Sequence, residues 1–240
     1  MSVFLLMSFR FTEEKRITVY LIGDSTMSIK EPTAYPETGW GMPFAVFFDS
    51  TVVVDNRAKN GRSTRTFISE NRWQSVADQL KEGDYVFIQF GHNDESKEKV
   101  DRYTSPQDFK ANLSRFVNET RAHKANPILI TPVARRRFDN AGKVLDSHGE
   151  YGPLVRSLAA ELNVPLIDLQ KESEALLQEF GKDQSALLFL QLQPGEHPNY
   201  PLGKIDNTHF NELGARKIAQ LVLANIKAQH IPLENHIVKK

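Results

Sequence analysis

The sequence contains no cysteine, and this absence removes several kinds of chemistry. The chain has 240 residues and Cys 0. A disulfide scaffold, a Cys-ligated zinc or iron–sulfur site and a cysteine nucleophile are therefore excluded. A chain of this length buries a large core without disulfide bonds. Any covalent catalysis needs a nucleophile of another residue type.

The chain also lacks an excess of charge of either sign. Lys and Arg total 30 and Asp and Glu total 30, which gives a formal net charge of +0 at pH 7. A protein that wraps nucleic acid needs a basic excess to neutralise phosphates, so we expect no nucleic-acid partner. With 40% hydrophobic and 25% charged residues, the composition is that of an ordinary globular protein.

Long hydrophobic runs are missing as well. The N-terminal apolar run, residues 3–7, has no basic residue before it, whereas a secretory signal needs a basic start and roughly 7–15 apolar residues. No stretch approaches the ~20 apolar residues of a membrane span. We therefore expect a cytoplasmic protein with no membrane partner, and an export signal upstream of this sequence is the open alternative.

Short apolar runs alternate with longer amphipathic runs along the chain. The short runs predict five strands, at residues 17–22, 51–55, 85–90, 128–131 and 166–169. Apolar residues at spacings of three and four predict helices between them, including 106–124 and a last helix near the C-terminus. This alternation implies right-handed crossovers and a parallel sheet with helices on both faces.

No linker rich in Pro, Gly or Ser divides the chain, so a single α/β domain over residues 1–240 is predicted. The stretches 132–149 and 181–208 look less regular, and we expect them to be surface excursions near a site.

Polar clusters follow the predicted strands, where ligands collect in an open parallel sheet. They are Gly23-Asp24-Ser25-Thr26, Gly61-Arg62-Ser63 and Gly91-His92-Asn93-Asp94. Taken singly, each has an ordinary alternative: an N-cap serine, a turn glycine and an Asx-turn.

A fourth cluster, residues 206–209, precedes the last helix. Asp206 stands three residues before His209, and an acid at this spacing can fold back to accept the Nδ1–H of the imidazole. The ordinary alternative for this pair is a helix-capping acid and a solvated histidine. Together the four clusters supply a nucleophile, a base, an acid that orients it and oxyanion donors, which are the parts needed for acyl transfer. The Gly-x-Ser-x-Gly elbow of α/β-hydrolases is absent, which indicates another scaffold.

These four blocks, in this order between residues 23 and 209, resemble those of the GDSL or SGNH hydrolases. The resemblance implies a three-layer α/β/α sandwich of flavodoxin-like type with a five-stranded parallel sheet. It implies Ser25 as the nucleophile, His209 as the base and Asp206 as its partner. The oxyanion hole would consist of the backbone N–H groups of Ser25 and Gly61 and the side-chain amide of Asn93. No cofactor and no metal are implied.

A narrower match is visible in Gly-Asp-Ser-Thr, which replaces Gly-Asp-Ser-Leu, and in residues 61–67 and 206–215. These segments look like the rhamnogalacturonan acetylesterase branch. The implied function is a serine esterase that removes O-acetyl groups from pectic oligosaccharides. Related carbohydrate esterases share several of these variants, so an acetylxylan esterase, another small-acyl esterase or a thioesterase stays open.

Galacturonate carries a carboxylate, and arginine binds carboxylates in bidentate fashion. The candidate substrate-binding residues are Arg62, Arg65, Arg135, His92 and Trp40, the last as an apolar face for a sugar ring. The alternatives are a solvated face for the arginines, a structural hydrogen bond for His92 and core packing for Trp40. The remaining histidines show no metal-ligand spacing and are predicted to lie at the surface: His123, His148, His197, His230 and His236.

Two other classes of protein stay in view. A metallophosphoesterase would need Asp-x-His after the first strand and a late Gly-His-x-His, and the chain has neither. A carbohydrate-binding protein that lost catalysis could share the fold, but every catalytic position here holds a competent residue.

Overall fold

The computed structural model describes residues 16–238, and the N-terminal apolar run lies outside them. Its main sheet has five strands in the order β2-β1-β3-β4-β5, and every pair is parallel. The strands are β1 (Ile17–Gly23), β2 (Val52–Asn56), β3 (Tyr85–Gln89), β4 (Asn126–Ile130) and β5 (Leu166–Ile167).

Seven α-helices connect the strands in the described part of the chain. They are α1 (Gly41–Phe44), α2 (Thr64–Ser69), α3 (Arg72–Ala77), α4 (Pro106–Ala122), α5 (Tyr151–Glu161), α6 (Leu169–Gln184) and α7 (Glu212–Ala228). Ser105 caps α4 by accepting from the backbone N–H of Asp108, and Pro106 takes the first helical position.

The sheet is buried on both faces because successive residues of its strands point to opposite sides. Val19 and Leu21 of β1 join a core with residues of α1, α6 and α7. Tyr20 and Ile22 join a second core with residues of α2, α3, α4 and α5. The three-layer α/β/α sandwich and the five-stranded parallel sheet are thereby confirmed.

The segment 181–208 is more regular than its sequence indicates. It contains β6 (Phe189–Leu192), which pairs antiparallel with β7 (Lys204–Phe210) in a separate two-stranded sheet. The expectation of an irregular stretch was wrong here, because β6 and β7 are joined by a turn-rich connection whose sequence shows little of the alternation typical of strands. The predicted fifth strand is also shorter, since Asp168 already precedes the first turn of α6.

The strand order places one end of the sheet in position to hold a site. The chain passes from β1 to β2 on one side and then to β3 on the other, so the connections after β1 and β3 diverge and leave a crevice at their carboxyl ends. No helix among residues 16–238 is long and apolar enough to cross a membrane.

Candidate active site

Ser25 lies on the turn that leaves β1 and is 8% exposed. The turn is held from beneath by Asp24, whose Oδ1 accepts from the backbone N–H of Thr26 at 3.0 Å and from its hydroxyl at 2.9 Å. The same hydroxyl accepts from the side-chain amide of Gln89, at the end of β3, at 2.9 Å. The turn that carries Ser25 is therefore supported by a buried network of hydrogen bonds.

His209 and Asp206, both on β7, meet Ser25 across the sheet end. His209 Nε2 is 2.9 Å from Ser25 Oγ, and its Nδ1 is 2.8 Å from Oδ2 of Asp206. The other oxygen of Asp206 accepts from the backbone N–H groups of Thr208 and His209, at 2.8 and 2.9 Å. These bonds fix the carboxylate, and the carboxylate fixes the ring so that Nε2 faces the serine.

Asp206 stays ionised in this arrangement. Burial alone would raise the pKa of its carboxyl, but the hydrogen bonds and charge of His209 and the backbone donors hold the pKa well below its ordinary range. An ionised partner at Nδ1 favours the tautomer with the proton on Nδ1, which leaves Nε2 as the acceptor for the serine proton.

Three hydrogen-bond donors surround the space beside Ser25. The backbone N–H groups of Ser25 and Gly61 have no acceptor among the described residues. Gly61 adopts φ +75°, a left-handed conformation that favours glycine. Asn93 donates one hydrogen of Nδ2 to the carbonyl of Arg62 at 3.0 Å, and its Oδ1 lies 3.4 Å from Nη1 of Arg102. The bond to the carbonyl of Arg62 fixes the amide orientation and leaves the second hydrogen of Nδ2 for a ligand.

The cleft at this point has a volume of about 460 Å³ and polar walls. Among the described residues that line it, none carries an apolar side chain. They are Ser25, Glu37, Asn60, Gly61, His92, Asn93, Ser96, Glu98, Lys99, Arg102, Arg135, Thr208 and His209. Such walls suit a hydroxyl-rich ligand better than a long acyl chain.

His92 lines the cleft but is only 6% exposed, and its Nδ1 is 3.3 Å from Oδ2 of Asp24. Burial lowers the pKa of His92 to about 4, with the Asp24 carboxylate acting in the opposite direction. Burial would raise the pKa of Asp24, but the facing His92 ring and the bonds from Thr26 lower it to about 2. His92 is therefore neutral at pH 7 and belongs to the buried groups that support the turn at Ser25.

Behind His92 lies a second buried histidine. The rings of His92 and His148 are 4.6 Å apart, edge to face. His148 Nε2 is 2.8 Å from the carbonyl of Val133, and Nδ1 is 3.0 Å from Glu95, which also pairs with Arg135. The predicted surface position of His148 is wrong, because its side chain fills the space between the loops after β3 and β4 and is 2% exposed.

Trp40 does not offer a face to a sugar. It is fully buried, its indole Nε1 donates to Gln89 at 2.6 Å, and its ring packs edge-on against Phe44. The predicted binding role is wrong because the side chain is fully buried, so neither face of the indole is open to a ligand. The residue instead completes the hydrogen-bond network beneath Ser25.

Of the predicted arginines, the cleft includes Arg135 but neither Arg62 nor Arg65. The guanidinium of Arg62 pairs with Glu70 at 3.0 Å. The Arg65 guanidinium donates to two backbone carbonyls of the loop that follows β3, each at 3.2 Å. These partners engage both guanidinium groups outside the residues that line the cleft, and substrate contacts by this pair stay a prediction.

Several charged residues at the cleft were not predicted from the sequence, among them Lys30, Glu37 and Arg102. Lys30 and Glu37 pair at 2.7 Å beside the turn at Ser25. Arg102 lies next to Gly61, since a Cβ added to this glycine would be 3.1 Å from Arg102 Nη1. No local pattern marks Lys30 or Arg102, because each contacts a loop that is distant from it in sequence. Among the described residues, no cluster of three or more His, Asp or Glu side chains is arranged to hold a metal ion.

Comparison with known proteins agrees with this geometry. Residues 21–217 match the model of the GDSL-like lipase/acylhydrolase family, and the chain belongs to that family. It is thus a carboxylic ester hydrolase.

Particular relatives are more similar still. The chain is 43% identical to rhamnogalacturonan acetylesterase RhgT of Bacillus subtilis (strain 168), over 95% of this chain and 97% of the relative. It is 37% identical to the probable rhamnogalacturonan acetylesterase YesY of the same organism, over 92% and 98%.

Solved structures share the fold. Protein YxiM from Bacillus subtilis superposes with a TM-score of 0.77 at 28% identity, over 90% of this chain and 57% of that chain. Axe2, an acetylxylan esterase from Geobacillus stearothermophilus, superposes with a TM-score of 0.64 at 19% identity, over 89% and 96%. At that identity, the second similarity concerns the fold alone.

Proposed function

We propose that the protein is a serine esterase that removes O-acetyl groups from carbohydrate through an acyl-enzyme intermediate. The observation that carries this proposal is the unbroken chain of contacts from Ser25 Oγ through His209 to Asp206, at 2.9 and 2.8 Å. Ser25 is the nucleophile, His209 the general base and Asp206 the acid that orients it.

The reaction has two balanced halves. Ser25 Oγ attacks the acetyl carbonyl carbon while His209 Nε2 takes the hydroxyl proton. The negative charge on the carbonyl oxygen is stabilised by the N–H groups of Ser25 and Gly61 and by Nδ2 of Asn93. The tetrahedral species then expels the sugar oxygen, which receives the proton from His209. Water repeats the sequence on the acetyl-serine and releases acetate.

The substrate that the site supports best is an acetylated pectic rhamnogalacturonan oligosaccharide. The two most similar relatives described above are named for rhamnogalacturonan acetylesterase activity, and the polar walls of the cleft suit a sugar. No observation in the site favours acetylxylan or a thioester over this substrate.

Charge in the cleft is consistent with an acidic sugar. Lys99 and Arg102 line the cleft together with Arg135. Arg135 is neutralised by Glu95, whereas the acidic partner of Arg102 among the described residues is the largely exposed Asp101, at 3.5 Å. We assign Arg102, which lines the cleft, as the residue that contacts a galacturonate carboxylate.

Labelling with a fluorophosphonate tests the nucleophile, since this reagent reacts with activated serines. We expect one label, on Ser25, and loss of labelling in Ser25→Ala. Ser157→Ala serves as the matched control, because Ser157 is an exposed serine of α5. Undiminished labelling of Ser25→Ala would overturn the assignment.

Acetate release from acetylated rhamnogalacturonan, acetylxylan and acetylated monosaccharides tests the substrate. Rhamnogalacturonan should give the highest kcat/KM, and a series of p-nitrophenyl esters should show falling activity beyond short acyl chains. A preference for xylan or for long acyl chains would contradict the substrate assignment while leaving the serine mechanism intact.

A further inference from the structure

Lys30 is a buried lysine with a complete set of partners. It is 8% exposed, and its Nζ is 2.5 Å from the carbonyl of Ser25, 2.9 Å from Oδ1 of Asn60 and 2.7 Å from Oε1 of Glu37. An ammonium group has three N–H donors, and here each one has an acceptor. The head group therefore has a single defined position.

Two of these acceptors, the carbonyl of Ser25 and Oδ1 of Asn60, belong to the two loops that supply the backbone donors of the proposed oxyanion hole. Ser25 supplies the nucleophile and one backbone donor, and Asn60 immediately precedes Gly61, which supplies the second. Asn60 Oδ1 also accepts from the hydroxyl of Ser28 at 2.5 Å. The ammonium thus joins the turn after β1 to the loop after β2, at the point where the two backbone donors must converge.

A contribution to the stability of the fold does not by itself explain why the ammonium group of Lys30 is buried here. Burial lowers the pKa of Lys30, with Glu37 acting in the opposite direction, which reflects the desolvation cost of an ammonium group. Replacing a buried ion pair with packed apolar groups is often neutral or stabilising. A fixed distance between two loops, in contrast, requires directional bonds such as the three found here.

We propose that Lys30 is a positioning residue for the oxyanion hole, which holds the N–H groups of Ser25 and Gly61 at the spacing that the tetrahedral intermediate requires. This inference rests on the proposed function, because it assigns Lys30 a role in the reaction of Ser25. Loss of the ammonium group should weaken binding of the transition state more than binding of the substrate, so kcat falls while KM changes little.

The absence of native cysteine permits a chemical test. In Lys30→Cys, the only thiol is alkylated in the unfolded chain with 2-bromoethylamine, which restores an ammonium group of nearly lysine length. A second sample receives a propyl group, which is the neutral analogue. After refolding, kcat and KM for p-nitrophenyl acetate are measured for both. Lys227→Cys, at an exposed lysine of α7, is treated identically as the control.

We expect the propyl form to lose about tenfold to a hundredfold in kcat with KM little changed, since displaced oxyanion donors cost this much. The aminoethyl form should recover most of the loss, and both control forms should keep full kcat. Wild-type kcat in the propyl form overturns the proposal. Equal impairment of both forms does so too, because it assigns Lys30 a packing role.

Asn60→Ala provides a second route that leaves Lys30 in place and removes the other end of the bridge. It should lower kcat by a similar factor, and unchanged kcat overturns the proposal even if the alkylated proteins fail to refold. The outcomes separate this inference from the proposed function. An inactive Ser25→Ala with a fully active propyl form rejects only the role of Lys30, whereas an active Ser25→Ala rejects the serine mechanism.

Discussion

At the scale of single residues, the threonine of Gly-Asp-Ser-Thr has a clear physical role. Thr26 carries the hydroxyl that links Asp24 to Gln89, and Gln89 in turn accepts from Trp40. A leucine at position 26 could not make these bonds. The threonine thus connects the turn at Ser25 to the end of β3 and, through Gln89, to the indole of Trp40.

Thr26→Val should destabilise the protein by about 1–3 kcal/mol, because it keeps the shape and leaves a buried amide donor of Gln89 without its partner. Chemical denaturation measures the free energy of unfolding. Thr120→Val is a matched control, since Thr120 is equally buried but only bonds back to the carbonyl of Phe116 in its own helix. A loss in Thr26→Val no larger than in this control would contradict the role.

A second prediction at this scale concerns Arg102, which we propose contacts the carboxylate of a galacturonate unit. Arg102→Gln should lower kcat/KM about tenfold or more for substrates that carry a galacturonate carboxylate, since a charge-assisted contact contributes about 1.5–3 kcal/mol. Neutral p-nitrophenyl acetate should be affected much less. Arg115→Gln, at an exposed arginine of α4 paired with Glu119, should leave both rates unchanged. Equal losses on both kinds of substrate would reject the carboxylate contact.

At the scale of elements, Asp94 joins the loop after β3 to the start of α2. Its Oδ1 accepts from the backbone N–H and the hydroxyl of Thr64, at 2.9 and 2.6 Å. Burial raises the pKa of Asp94 to about 7, and the bonds from Thr64 oppose this only in part. The contact fixes the position of Asn93 relative to the loop that carries Gly61. It does so although the buried carboxyl group of Asp94 is costly to ionise.

The raised pKa of Asp94 has a defined sign for stability. Between about pH 4 and 7 the native state keeps a proton that the unfolded chain has lost, so this residue's contribution to stability falls as pH rises through that window. The free energy of unfolding of Asp94→Asn minus that of wild type should increase by about 1 kcal/mol per pH unit. Urea denaturation of both proteins at pH 5 and pH 7 measures this difference in the free energy of unfolding. The lowered pKa of His92 has the opposite effect on stability, but this effect is the same in both proteins and cancels in the difference. A difference that does not change with pH would contradict this.

Elements differ in how far the sequence predicts them. The places of the five strands, the turn after β1 and the start of α4 were predicted from the sequence because their signals are local: apolar runs, a turn glycine and Ser105 before Pro106. Arg102 and Lys30 were missed because their partners are loops that only the fold brings near. The burial of Trp40 and of His148 is likewise decided by neighbours remote in sequence, which no residue pattern expresses.

At the scale of the whole molecule, we propose that the chain is one domain. Both cores share the same sheet, and the site combines Ser25 near the start with His209 near the end. Thermal unfolding followed by calorimetry and by tryptophan fluorescence should therefore give one coincident transition. Two separated transitions would contradict a single cooperative unit.

The balanced total charge conceals a local surface. The whole chain has a net charge of +0, while the cleft is lined by Lys99, Arg102 and Arg135 together with Glu37 and Glu98. Arg135 is paired with Glu95, so the charge that a small anion meets in the cleft depends on these local pairings and not on the total charge of the chain.

Above all, we propose that the acetyl group passes from the sugar to Ser25 and from Ser25 to water. The most direct measurement is the rate of acetate release from acetylated rhamnogalacturonan oligosaccharides by wild type and by Ser25→Ala, with matched folding verified by circular dichroism. Wild type should release acetate, and Ser25→Ala should be slower by about a thousandfold or more, as for other serine triads that lose the nucleophile. Acetate release by Ser25→Ala at the wild-type rate would contradict the claim.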